Sequence, residues 1–334
     1  MLQLNRFTAW CQIYFSFVTT MAQIGTDIQK AKELLMQGEL VAIPTETVYG
    51  LAGNALNLSS VAKIFEVKGR PQFDPLIVHV PDFTAVGLYT THIPPQAKLL
   101  AERFWPGPLT LLLPKKNIIP DLVTSGLDTV GLRCPDHALT HGLLTSISFP
   151  LAAPSANPFG YVSPTRAEHV DDQLGSKIAY ILDGGACNVG VESTIMGFES
   201  DMPVILRLGG ITQDQIESTI GKVHVRTHST SNPQAPGQLL SHYAPRKKLI
   251  LGNLDELREK HSSKVTATLS FQQDSHSPFQ FILSPSGQLN EAAQNLFLAL
   301  RTLDKMPVDL ILAEPVPDVG LGQAINDRLR RAAQ

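Results

Sequence analysis

The sequence predicts an α/β protein of two domains, the second smaller than the first. Three observations carry that reading. Short apolar runs bounded by Pro or Gly recur along the chain with helical segments between them, the pattern of strands interleaved with helices. The 334 residues exceed one domain of ordinary size. From Ser218 to Leu254 there is no Asp or Glu, and the stretch SNPQAPGQLLSHYAP within it has the Pro, Gly and Ser density of an extended linker.

Residues 1–20 stand apart from this pattern. They hold one Arg, no acid, and an apolar run interrupted by Thr, Gln and Ser, too short and too polar for the roughly 20 apolar residues that span a bilayer. The expectation is an extension outside the fold, with Met21 as the natural start and a targeting peptide as the lesser reading. Thr26 or Asp27 then caps a helix whose Ile28, Ala31, Leu34 and Leu35 share one face, and Gly38 closes it. Leu40 to Ile43 is a buried strand, and the polar, Gly-bearing segment Pro44 to Asn54 reads as a ligand loop at its end. A helix follows over Leu58 to Glu66, a strand over Leu76 to Val80 and a helix over Gln96 to Phe104. Leu109 to Leu113, Val130 to Arg133, Leu151 to Ala153 and Ile178 to Leu182 are strand-like. The first domain is expected over 21–221, a linker over 222–247 and a second domain over 248–334. In the last, strands at Leu249 to Leu251, Val265 to Ser270, Phe279 to Leu283 and Val308 to Ala313 accompany helices at Asn290 to Leu303 and Gly322 to Ala332.

Composition narrows the function. At 43% hydrophobic and 17% charged residues the chain can bury a core in each domain. Lys and Arg total 27 against 30 acids, net −3, without the positive excess expected of a protein that coats nucleic acid, so any anion must be held by local clusters. Cys11, Cys134 and Cys187 lie far apart, against a disulfide scaffold or zinc knuckle and in keeping with a reducing, cytoplasmic setting. No metal-ligating cluster is read.

The candidate chemistry lies in first-domain loops. Lys68 and Arg70 flank Gly69 at a helix end, a pair that can converge on phosphate or remain a solvated surface pair. Ser155, Asn157, Ser163 and Thr165 in PSANPFGYVSPT offer hydroxyl and amide groups to a polar ligand, or plain turn chemistry. Arg133 and Arg207 are bounded by apolar neighbours at strand ends, a costly place for a charge without an anionic partner, either a ligand or a structural carboxylate. Thr45, Glu46, Thr47 and Tyr49, and the segment VESTI from Val191 to Ile195, form hydroxyl-rich pockets after a strand and a turn. His79 at a strand end reads as a core histidine. Neither a Walker phosphate loop nor G-x-G-x-x-G follows a strand, and no nucleophile sits beside a base in a recognisable elbow.

These segments together resemble the YrdC/Sua5 family in its two-domain form. The landmarks are IPTETVYGL, KGRP with PLIVH, FWPGPLTLLL, TVGLRCPDH, PSAN followed by SPT, ILDGG, ESTI and ILRLGG, then HYAP and a closing LGQAINDRL that single-domain YrdC proteins lack. Lys68-Gly69-Arg70 and Ser155-Ala156-Asn157 are similar to the family's K-x-R and S-x-N signature. The resemblance implies a YrdC-like twisted open mixed sheet with helices, plus a smaller Rossmann-like α/β C-terminal Sua5 domain.

It also implies an activity, L-threonylcarbamoyladenylate synthesis. L-threonine, bicarbonate or CO2, and ATP with Mg2+ would give threonylcarbamoyl-AMP and pyrophosphate, feeding the tRNA threonylcarbamoyl transferase machinery that modifies adenosine 37 of tRNA to N6-threonylcarbamoyladenosine. Carried over by motif, threonine would meet Thr47, His79, Arg133, the backbone of Ala153, and Ser193. ATP would meet Arg70, Asp74, Thr129, Ser155, Asn157, Ser163, Arg207 and Tyr243, the last reaching in from the linker as part of a lid. Lys68 and Arg70 would act on the phosphates. Position 74 departs from the usual Asn of the family, and a carboxylate there repels phosphate unless it binds Mg2+ or a ribose hydroxyl. A rival reading is a double-stranded RNA or tRNA binding module without catalysis, which the net charge weakens. Weak RNA binding beside the enzyme activity is a further expectation, and no membrane association is expected. Another rival is carbamoyl transfer, as in YrdC-like domains of hydrogenase maturation proteins.

Overall fold

The computed structural model describes residues 21–227, 233–239, 242–273 and 277–334; the expected extension, residues 1–20, lies outside them. In chain order come β1 (Gln23–Gly25), α1 (Ile28–Met36), β2 (Val41–Ile43), β3 (Gly50–Asn54), α2 (Leu58–Lys68), β4 (Ile77–His79), α3 (Val86–Tyr89) and α4 (Pro95–Phe104). Next are β5 (Leu109–Pro114), α5 (Asp121–Thr124), β6 (Thr129–Arg133), α6 (Ala138–Ser146), β7 (Leu151–Ala152) and α7 (Ala167–Leu174). Then follow β8 (Tyr180–Leu182), β9 (Thr194–Glu199), β10 (Met202–Arg207), α8 (Gln213–Ile220) and β11 (His224–Val225). The C-terminal part holds β12 (Lys248–Leu251), α9 (Leu254–Lys260), β13 (Thr266–Ser270), β14 (Gln280–Ile282), α10 (Leu289–Lys305), β15 (Leu310–Ala313) and α11 (Leu321–Ala332).

Among the described residues the strands form two sheets. The larger is mixed, in the order β1-β8-β2-β3-β7-β4-β6-β5-β9-β10-β11, and the smaller is wholly parallel, in the order β12-β15-β13-β14. Parallel strands need crossovers, which α9 supplies between β12 and β13 and α10 between β14 and β15, while the terminal α11 packs on β12 and α10. Local chemistry sets the helix ends. Asp27 accepts from the Lys30 backbone N–H at the start of α1, Asn57 does the same for Ser59 and Ser60 at the start of α2, and α2 stops at Gly69, whose φ of +62° suits glycine. None of the described helices is long and apolar enough to cross a membrane.

Several sequence expectations change. Pro44 to Asn54 is not all loop: Gly50–Asn54 is strand β3, paired antiparallel with β2. Gly53 explains how so small-sided a segment enters the sheet, since a Cβ there would lie 2.9 Å from a Leu40 methyl and 3.3 Å from one of Ile64. ESTI leads into β9, with only Thr194 and Ile195 in the strand, and ILRL ends β10, the two strands forming an antiparallel hairpin that turns through Ser200 and Asp201, both at positive φ. Helices α6, α7, α8 and α9 were not foreseen. Nor is the described part of the linker a solvated spacer: β11 pairs with β10, and Ala235, Gln238, His242 and Tyr243 are buried. Residues 228–232 and 240–241 of that expected linker lie outside the described residues.

The two domains share an apolar core. Val48, Val162 and Val191 of the first domain and Tyr243 of the linker join Phe297, Ile325 and Leu329 of the second in one cluster. Cys134 and Cys187 are free and buried, their thiols pushed up to about 12 by burial, as suits inert core residues.

Candidate active site

Register brings the first three site residues together. Parallel pairing of β4 with β6 sets His79 opposite Arg133, and the Ala153 N–H donates to the Ile77 carbonyl at 2.9 Å. His79 and Arg133 therefore sit at the C-terminal ends of β4 and β6, where α/β sheets open their ligand crevices, while Ala153, just past the end of antiparallel β7, lies beside the start of β4. Across the crevice, β10 ends in Arg207. Its Nε donates to the Ser193 carbonyl at 3.0 Å, its Nη2 to Ser193 Oγ at 3.0 Å, and its Nη1 to the Pro236 carbonyl of the linker at 3.2 Å. Gly237 makes that linker contact possible: it has φ +82°, and a Cβ there would stand 2.8 Å from the Tyr243 hydroxyl and 3.1 Å from Arg207 Cδ.

Arg70 enters just after the α2 cap. Its Nε donates to the Asp74 carbonyl at 3.0 Å, its Nη2 donates to the Pro75 carbonyl at 2.8 Å, and the same Nη2 lies 2.9 Å from Asp74 Oδ2. Arg133 is held differently. Its Nη2 lies 2.7 Å from Glu46 Oε1 without making a hydrogen bond, and its Nε and Nη2 have no hydrogen-bonded partner among the described residues. A buried guanidinium with idle donors is costly. It is also the fork that a carboxylate ligand would fill.

These groups surround one cavity with about 50 Å³ of free space. Arg70, His79, Arg133, Ser155 and Arg207 line it, and Tyr243 closes it from the linker. Ala153 and Ser193 also reach it, so eight of the residues singled out from the sequence meet there. Burial dominates the electrostatics. It pushes the His79 imidazole down to about 3, with Arg133 adding to the effect, and holds His242 well below its ordinary value, helped by Arg70 and Lys68. Both are neutral at pH 7. Burial likewise lowers Arg70 and Arg207, and raises the Asp74 carboxyl against the opposing pull of Arg70 and Lys68.

The remaining candidates sit elsewhere. Lys68 does not face the cavity: its Nζ donates to the carbonyl of Ser155 at 2.6 Å and to that of Asn157, bracing the PSAN loop from beneath. The Asn157 amide is spent on the carbonyls of Pro158 and Tyr161, at 2.9 and 2.8 Å. Thr47 is buried with its Oγ1 2.8 Å from that of Thr45. Ser163 Oγ donates to Glu192 Oε1 at 2.7 Å, and Asp74 is covered by Arg70. Thr129 lines a smaller cavity of about 10 Å³, which shares Ile77 and Pro236 with the first, and a separate one of about 250 Å³ between β5, β6, β9 and β10. Thr165 accepts no role at the cavity, its backbone N–H donating to His169 Nδ1.

Sequence reading did not single out Glu192 or His242, which line the cavity, or Arg328, which reaches Glu192 from the far end of the chain at 2.9 Å. HYAP and ESTI marked the segments of the first two. Nothing marked Arg328 beyond its place in LGQAINDRL.

Comparison with known proteins agrees with this architecture. A family model described as "Telomere recombination" matches residues 33–209, and a second, "Threonylcarbamoyl-AMP synthase, C-terminal domain", matches 211–334. The chain is 42% identical to the threonylcarbamoyl-AMP synthase of Pyrococcus abyssi (strain GE5 / Orsay), over 92% of this chain and 94% of that one. It is 42% identical to the synthase of Bacillus subtilis (strain 168), over 95% and 96%. The solved structure of P. abyssi Sua5 complexed with L-threonine superimposes with a TM-score of 0.86 at 41% identity, covering 92% of this chain and 94% of its own.

Proposed function

This chain belongs to the YrdC/Sua5 family, in its two-domain Sua5 form, and from that membership we propose that its cavity makes threonylcarbamoyl-AMP from L-threonine, bicarbonate or CO2, and ATP. The observation that carries the proposal is the set of three buried guanidiniums, Arg70, Arg133 and Arg207, around one cavity, one of them with donors unused. Three such charges suit a ligand set that brings a carboxylate and a polyphosphate.

Threonine binds on the strand-end side. Its carboxylate takes the free donors of Arg133, and neutral His79, the Ala153 backbone and Ser193 form the rest of that pocket, with Thr47 acting indirectly through Thr45, which holds the loop that brings Val48 to the cavity. With the carboxylate clamped, the amine is left free to add to CO2, giving a carbamate and releasing a proton. A carbamate oxygen then attacks the α-phosphorus of ATP in line, forming the mixed anhydride as pyrophosphate leaves, so the enzyme is a nucleotidyltransferase. Arg70 and Arg207 offset charge on the phosphates, and no covalent nucleophile is required.

ATP occupies the side nearer the linker, against Arg70, Ser155, Arg207 and Tyr243, with Ser163 acting through Glu192, to which it donates, and Thr129 in the adjoining smaller cavity. Lys68 and Asn157 serve indirectly by holding the PSAN loop in shape. Magnesium arrives on the ATP phosphates. Of the buried carboxylates, Glu192 lines the cavity but is taken by Ser163 and Arg328, whereas Asp74, covered by Arg70, has two oxygens that accept no hydrogen bond among the described residues and would be the one to help hold a cation brought with ATP. The linker shields the anhydride from water, and the product goes on to the tRNA-modifying transferase in the cytoplasm. A pyrophosphate-release assay tests this directly: release is expected only when threonine and bicarbonate are both present with MgATP, and release that ignores either one would contradict it.

A further inference from the structure

We propose that Arg328, from helix α11 of the C-terminal domain, is a positioning residue for the ATP side of the site. The proposal rests on the reading above that the cavity takes ATP and threonine.

Arg328 is fully buried. Its Nε donates to Glu192 Oε2 at 2.9 Å, its Nη1 to Asp327 Oδ2 at 2.8 Å and its Nη2 to the Leu208 carbonyl at 2.8 Å. Its guanidinium carbon stands 5.2 Å from the centre of the Tyr243 ring. Glu192 and Asp327 hold the proton on it against burial. An apolar side chain would fill this place at lower desolvation cost, so the geometry points to a requirement for shape and direction rather than for stability alone.

Each contact leads to the same side of the cavity. Glu192 lines it and accepts the Ser163 hydroxyl through its other oxygen. Leu208 follows Arg207 directly. Tyr243 has a left-handed backbone, φ +65°, which a residue other than glycine keeps only when its surroundings hold it. Here the ring is stacked on Phe297, centroids 5.6 Å apart, with Arg328 on it as well, so the C-terminal domain holds it on two fronts. Asp327 in turn accepts Arg331 Nε at 3.0 Å, and Arg331 donates to the Leu239 carbonyl and, at 2.9 Å, to that of Thr227, tying down the linker. Among the described residues, Arg328 makes its hydrogen bonds and ring contact with Glu192, Asp327, Leu208 and Tyr243, and none with His79, Arg133 or Ala153.

A selective effect follows. Arg328→Lys keeps the charge but not the planar fork. It is expected to raise KM for ATP, and to weaken ATP binding measured by calorimetry, about tenfold, as misplacement without contact does, while KM for threonine stays within about twofold. The paired variant Glu192→Gln/Arg328→Met removes both buried charges and so restores stability where a single change has lost it; its KM for ATP is expected to stay raised. If KM for both substrates moves together, if neither moves, or if KM for ATP returns to the parental value as stability returns, Arg328 is only a brace between domains and the proposal is wrong. Product formation by the parent enzyme separates the two readings: a parent that binds ATP but makes no threonylcarbamoyl-AMP refutes the reaction, while the calorimetric comparison still decides the role of Arg328. A parent that binds no ATP refutes both.

Discussion

Arg133 Nη2 lies 2.7 Å from Glu46 Oε1 with both side chains almost wholly buried, yet the two make no hydrogen bond. The pair neutralises the arginine by charge while leaving its donors open. Glu46 is itself steadied, its Oε2 accepting the Asp136 backbone N–H at 3.2 Å. The arrangement fits an arginine that keeps a counter-ion in the empty site and still offers its fork to a second carboxylate.

The clamp makes the first prediction. Arg133→Ala removes the threonine contact and leaves Glu46 buried without its partner. The expected cost is about 3 kcal/mol or more, a loss of at least roughly a hundredfold in kcat/KM for threonine. Threonine-dependent pyrophosphate release at the parental level would show that the carboxylate binds elsewhere.

Asp74 makes the second. Its carboxyl lies under Arg70 and feels Lys68 and Arg207 as well, so Asp74→Asn leaves those cations less compensated. Inorganic pyrophosphate without magnesium is expected to bind about tenfold more tightly to the variant, roughly 1.4 kcal/mol. The gain shrinks when magnesium is present, and the melting temperature falls because Arg70 has lost its counter-ion. Titration calorimetry with and without the metal reads both terms, and weaker binding in its absence would refute the charge assignment.

A third concerns pH. His79 titrates at about 3 in the folded protein because burial and Arg133 disfavour its cation, against about 6.5 when unfolded. Between those values the unfolded chain binds the extra proton. The stability it confers is thus complete above pH 6.5 and is lost as pH falls toward 3. Urea unfolding at pH 7 and pH 4.5 should show a larger loss for the parent than for His79→Gln, and equal losses would mean that His79 is not held neutral.

The linker supplies the fourth. Arg207 and Tyr243 fix its described part over the cavity, so deleting residues 236 to 245 exposes the mixed anhydride to water. The half-life of enzyme-bound product is expected to shorten severalfold. An unchanged half-life would leave the segment with no shielding role.

Much of the site was legible because charge in the wrong place is conspicuous. Arg133 and Arg207 stood out as cations among apolar residues at strand ends, and both line the cavity. Lys68 and Asn157 carried the family signature, but sequence gives no sign of whether a polar group faces a ligand or the backbone of its own loop. Strand order was out of reach: β7 separates β3 from β4 in space while following both in sequence. Helices α10 and α11 were placed nearly to the residue, but periodicity gives no sign of what the polar face of α11 meets. Its Arg328 instead finds Glu192, 136 positions away, and only the closure of the two domains onto each other reveals that pairing.

The most direct test of the central claim is incubation of the purified protein with MgATP, L-threonine and isotope-labelled bicarbonate, with the nucleotide products separated and weighed by mass spectrometry. The expected result is an adenylate containing threonine and the labelled carbon, formed with one pyrophosphate. If no labelled adenylate forms under conditions where the B. subtilis synthase makes it, and the protein instead retains tRNA with a steep salt dependence, the claim fails in favour of an RNA-binding module.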